Sequence, residues 1–219
     1  EENGAIYMKM QSNILGYAGV DSGCGAPSLK RAAALRVLNH MLREPLFNEL
    51  RTKQTLGYIV SSGMESGYSG NNGGGGCNYE CEKVDSMFIY VVSKKVSPVE
   101  LKKRVMSFLE TFEQRLVAME KNEIMNHVAA LRKKLNEPHK NLYSEVGEHW
   151  PVVRRFAPKS TPPNFGLTEE MSAAIGDVRK EDVLSVYEDV VAGPNSRRLI
   201  SCVYGNKFTL AESGPAAGG

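Results

Sequence analysis

Short runs of period two set among longer runs of helical period mark this sequence as an α+β chain. Three observations carry that reading. Ala5–Gln11 and Val84–Ser93 alternate as half-buried and central strands do. Leu29–Leu42 and Leu101–Leu116 repeat apolar residues every three or four positions. Arg197–Tyr204 alternates again and closes the order of elements. The 219 residues suffice for one large domain or two small ones, with 42% hydrophobic and 24% charged side chains. Residues 1–208 are read as one domain and 209–219, small and polar, as a disordered tail. A balance of 27 basic and 25 acidic groups leaves no broad basic field for nucleic acid or acidic lipid. No apolar run approaches the roughly 20 residues that cross a bilayer. The start, Glu1-Glu2-Asn3-Gly4, enters strand-like sequence at once without an initiator methionine, as a domain cut from a longer protein would.

The first strand sends Ile6, Met8 and Met10 to one face and Tyr7, Lys9 and Gln11 to the other. After a turn-rich stretch from Asn13 to Gly25, Ser28 suits the N-cap of a deeply buried helix. Pro45 suits the first turn of a further short helix, on which Leu46, Phe47 and Leu50 share an apolar face. Beyond Lys53 the period moves towards two, which predicts a strand over Gln54–Gly63 with Leu56, Tyr58 and Val60 on one side. On the residues alone, Arg51 reads as a cation at a helix C-terminus and Tyr58 as a half-buried strand aromatic.

The run FNELRTKQTLGYIVSSG, residues 47–63, resembles the C-terminal domain of the insulysin-like, pitrilysin-type zinc peptidases, whose inverted metal motif is HxxEH. The likeness extends in element order from Gly4 to about Tyr204 and thins after Pro151. It implies one antiparallel sheet packed by helices on one side. It also implies four such domains in two bowl-like halves that close around peptides. The N-terminal half of the same polypeptide would then hold zinc, and this C-terminal half would wall the chamber. By register, Arg51 and Tyr58 are the substrate-contacting pair that the resemblance implies. A guanidinium fork and a phenol at a helix-to-strand junction suit the carbonyls of an extended peptide.

Counting excludes a zinc site of that kind within this chain. The histidines are His40, His127, His139 and His149, and no two lie four apart. A catalytic zinc ordinarily takes three protein ligands. The window Arg36-Val37-Leu38-Asn39-His40 echoes HxxEH with only its last position kept, and Glu145-x-x-Glu148-His149 reads as a solvated face. Cys24, Cys77, Cys81 and Cys202 are scattered and read as free thiols, which leans towards a reducing, cytosol-like compartment. The fragment is therefore expected to hold no metal, to carry no catalytic residue and to be inactive alone.

Glycines at 67, 70 and 73–76 read as a hairpin loop, because the Gly-Lys-Ser/Thr ending of a phosphate loop is missing. Ser97-Pro98-Val99-Glu100 opens what reads as the longest helix, with Leu101, Val105, Phe108, Leu109, Phe112 and Leu116 as its stripe. A second helix over Glu120–Leu135 turns Ile124, Val128, Leu131 and Leu135 inward and leaves Arg132, Lys133 and Lys134 solvated. A third over Lys140–Val153 uses Leu142, Val146, Trp150 and Val153, with Pro151 expected to end or kink it. A proline-rich connector over Ala157–Gly166 leads to Thr168, an expected N-cap, and to helical sequence over Lys180–Val191. The expected partners are the N-terminal half and peptide substrates, with homo-oligomerisation open. The competing expectation is a non-catalytic peptide- or protein-binding module.

Overall fold

A computed structural model describes residues 2–15, 26–69, 82–155, 167–194 and 196–208. Four antiparallel strands form one sheet: β1 (Gly4–Leu15), β2 (Ile59–Ser69), β3 (Glu82–Ser93) and β4 (Arg197–Val203). Their order across the sheet is β2-β3-β1-β4, so β3 and β1 are interior and β2 and β4 are edges. Ile6 stands opposite Val91, Met8 opposite Ile89 and Met10 opposite Met87, and all six are fully buried. The alternation read in β1 thus marks its packed face, and β1 runs four residues beyond the expected Gln11.

Among the described residues the α-helices are α1 (Ala26–Phe47), α2 (Pro98–Ala118), α3 (Lys121–Leu135), α4 (Leu142–Arg155), α5 (Leu167–Gly176) and α6 (Lys180–Tyr187), of which α1 and α2 lie directly on that face. α1 lies across β2 and β1, α2 across β1 and β4, and α5 and α6 close on α1. The architecture is the expected one, a single antiparallel sheet with helices on one side. α2 begins as read, with Ser97 Oγ accepting from the Glu100 N–H at 3.4 Å and Pro98 in the first turn. Its whole predicted stripe is buried. Tyr187 donates from its hydroxyl to the Leu109 carbonyl at 2.6 Å, and burial pushes that phenol well above its ordinary range.

Several expectations need correction. Ser28 lies inside α1, which starts two residues earlier, and α1 is one residue longer than α2. Pro45 also sits within α1, because burial of Leu46 and Leu50 on the continuing apolar face outweighs one lost backbone bond. Thr168 is not a cap: α5 starts at Leu167 and the Thr168 hydroxyl donates to Glu148. α4 runs through Pro151 to Arg155. The Leu142, Val146 and Trp150 side chains expected inward are 73%, 47% and 55% exposed, so the amphipathic pattern finds no cover among the described residues. Gly67, read as part of the hairpin loop, lies instead within β2. Glycines 70 and 73–76, Cys24, Cys77, Cys81, the proline-rich connector and residues 209–219 lie outside the described residues.

Candidate peptide-contacting site

Past Phe47 the α1 backbone widens into a π-helical turn, Asn48–Lys53. The Gln54 N–H reaches back to the Glu49 carbonyl at 3.0 Å, and the Leu56 N–H to the Leu50 carbonyl at 3.0 Å. That second bond closes the helix as a glycine-ended C-cap would, one residue wider. Thr55 holds the left-handed position there with φ 47°, a conformation that β-branched residues avoid. Two residues on, Gly57 lies against β3, where an added Cβ would come within 2.0 Å of the Val92 carbonyl oxygen.

This short loop is why the predicted strand over Gln54–Gly63 starts late, at Ile59. Leu56 and Val60 are buried, whereas Tyr58 is 79% exposed on the bend before β2, so it does not share their side. Side chains anchor the turn to α2. Glu49 accepts from Lys53 at 3.0 Å and from Gln54 at 3.1 Å, while Arg104 donates to Gln54 at 3.2 Å and to Glu100 at 2.8 Å. The hydrogen bonds from Gln54 and Lys53 lower the Glu49 pKa and keep it a carboxylate.

Arg51 projects from the turn and stacks over the Phe47 ring, its guanidinium carbon 5.0 Å from the centroid. Among the described residues no hydrogen bond or ring contact joins Arg51 to Tyr58. What they share is an exposed location flanking the start of the same edge strand. Next to them, and missed by sequence reasoning, is a cleft of about 320 Å³ between the end of α1 and the helix-side edge of β2. Leu46, Phe47, Val60 and Ser62 form its walls, with Arg43 and Glu44 at its mouth. Ser62 is 8% exposed, and its hydroxyl oxygen is buried without a hydrogen-bond partner.

Comparison with known proteins bears on the fold and kinship of the chain. Residues 76–150 match a family model described as PQQ synthase PqqF-like, C-terminal lobe domain 4. A nardilysin-like protein of Arabidopsis thaliana is 27% identical over 192 residues, which is 86% of this chain and 17% of that protein. Human insulin-degrading enzyme is 29% identical over 165 residues, 75% of this chain and 14% of that protein. The chain is thus similar to C-terminal-lobe domains of the insulysin-like peptidases. The fold is that of pitrilysin, which superposes with TM-score 0.69 at 16% identity, covering 94% of this chain and 19% of pitrilysin. A peptidase M16 inactive domain from Pseudomonas fluorescens gives TM-score 0.54 at 13% identity, covering 94% and 41%. The chain spans about a sixth of the length of these curated relatives.

The helix window that echoes HxxEH does not suit zinc in this chain. Arg36 Nε and Asn39 Oδ1 are both buried without a partner, and a guanidinium is no ligand for a cation. His40 instead meets His127 of α3 edge to face, with centroids 5.8 Å apart. Burial comes first, then His127, Lys134 and Arg43, in holding the His40 pKa below the ordinary value, with Glu44 opposing. His139 meets His149 at 6.3 Å, and its Nε2 lies 3.0 Å from Glu148. Among the described residues no three potential metal ligands converge. Cys202 is a partly exposed free thiol.

Proposed function

We propose that this chain is the substrate-gripping wall of a longer insulysin-like zinc endopeptidase whose metal is held by its N-terminal half. The observation that carries the reading is the placement of Arg51 and Tyr58. A guanidinium braced on Phe47 and a fully presented phenol flank the start of one edge strand. Kinship with proteins that include insulin-degrading enzyme supports a peptide as the thing gripped.

In this reading Arg51 donates to a substrate carbonyl, or to the oxyanion that develops from it, and Tyr58 donates a second hydrogen bond. The zinc of the other half would supply the activated water. The rigid turn matters because donors fixed beforehand stabilise developing charge without reorganising. Arg51→Ala or Tyr58→Phe in the full-length enzyme is expected to lower kcat/KM for a peptide on the order of 10²–10³. Zinc content and melting temperature are expected to stay unchanged. Wild-type cleavage by both folded variants would overturn the assignment. The 219-residue chain alone should not cleave the peptide, and adding the N-terminal half should restore cleavage.

A further inference from the structure

The cleft beside β2 has features that the two donors do not explain. Among the described residues β2 is an edge strand, bonded to β3 on one side only, which leaves its outer backbone groups for another strand. Side chains of an added strand alternate between faces, and those on the helix side would point where Val60, Ser62 and Met64 point. That is the side on which the cleft lies. Its walls, Leu46, Phe47 and Val60, are apolar, and about 320 Å³ holds one aliphatic or small aromatic side chain. At the mouth, Arg43 is exposed and has no ion pair among the described residues. Arg43 and Glu44 are the charged residues that line the cleft.

The geometry points to one occupant, an extended peptide that joins β2 as a fifth strand. It sets a leucine-sized side chain in the cleft and carries an acidic residue two positions away, facing Arg43. Main-chain hydrogen bonds supply the adhesion, the cleft selects the apolar residue and the arginine selects the carboxylate. The inference rests on the reading of this chain as a peptide-gripping wall and adds a sequence preference to it. Ser62 fits the picture, since an unpartnered hydroxyl on the cleft wall leaves room that a larger side chain would fill.

The test uses the 219-residue chain and a fluorescein-labelled hexapeptide, Thr-Thr-Leu-Thr-Glu-Thr, followed by anisotropy and by amide chemical shifts. Shifts are expected along residues 59–65. Exchanging the peptide leucine for glycine should weaken binding on the order of tenfold or more. Ser62→Leu, which fills the cleft from within, should abolish the preference for leucine. Arg43→Glu should reverse the preference between the glutamate peptide and its lysine counterpart. The peptide exchanges need no protein variant, so a poorly folding Ser62→Leu does not remove the test. Equal binding of the leucine and glycine peptides, shifts concentrated on β4, or no binding at millimolar peptide would overturn the proposal. Its fate is separable from that of the two donors. Arg51→Ala and Tyr58→Phe are read in cleavage by the full-length enzyme, and the cleft is read in binding by this chain.

Discussion

Arg51, Ser62 and His40 show how far single residues carry the argument. Arg51 is held by a ring rather than by a carboxylate, so its donors stay available to a ligand while its direction is fixed. Ser62 is the reverse, a hydroxyl kept among apolar neighbours with nothing to bond. A buried polar group without a partner costs about 1–3 kcal/mol, so Ser62→Ala should leave stability unchanged or raise it by up to about 1 kcal/mol, read from the urea midpoint. His40 brings a pH dependence whose sign follows from its surroundings. His127 and Lys134 of α3, and Arg43 of its own helix, join burial in disfavouring the imidazolium. The folded chain therefore binds fewer protons at this site than the unfolded chain. Its contribution to stability is full above the ordinary histidine pKa of about 6.5, and is lost as pH falls through the lower folded value. His40→Gln should flatten that part of the stability curve, measured as urea midpoints at descending pH.

At the scale of elements, the loop between the π turn and β2 bears most strain and most constraint. Gly57→Ala would drive a methyl into the Val92 carbonyl and should cost on the order of 3 kcal/mol or more. Thr55→Gly should stabilise by about 1 kcal/mol, because a β-branched residue is released from the left-handed region. Thermal melts of both variants check the pair. The same loop explains what the sequence made legible. β1 and α2 were readable because their signals are local: strict alternation in one, a Ser-Pro cap and an unbroken stripe in the other. Tyr58 was placed on the wrong side because Leu56, Tyr58 and Val60 are spaced as a strand, and nothing in that spacing announces a left-handed Thr55 between them and the helix. Pro45 misled for a related reason, since the local rule for proline yields where Leu46 and Leu50 hold the helix in the core. Reading Arg51 and Tyr58 as a pair rests on resemblance, because no local pattern links them. The cleft was not visible at all, because it joins α1 to β2 across a turn that no periodicity encodes.

For the molecule as a whole, the sheet and five of its helices share one core, and α4 stands apart from it. Leu142, Tyr143, Val146 and Trp150 are all exposed there, in a pattern that normally marks a buried face. Trp150 is the sole tryptophan of the chain, which makes the point measurable. Its emission should be that of a solvated indole and should be quenched readily by iodide. Trp150→Ala should cost less than about 1 kcal/mol, because the side chain gives little apolar surface to the core. Amides of α4 should exchange faster than those of β1 and β3, since few buried contacts hold the helix in place.

The widened turn at Asn48–Lys53 has a consequence for how such a site is adjusted. A π turn is an α-helix holding one surplus residue. Excising a single residue there would let the backbone relax to ordinary pitch and swing whatever follows through about 100° around the axis. The aim of the guanidinium is thus set by a length difference of one amino acid, a dial that insertion or deletion can turn while the hydrophobic interior stays as it was.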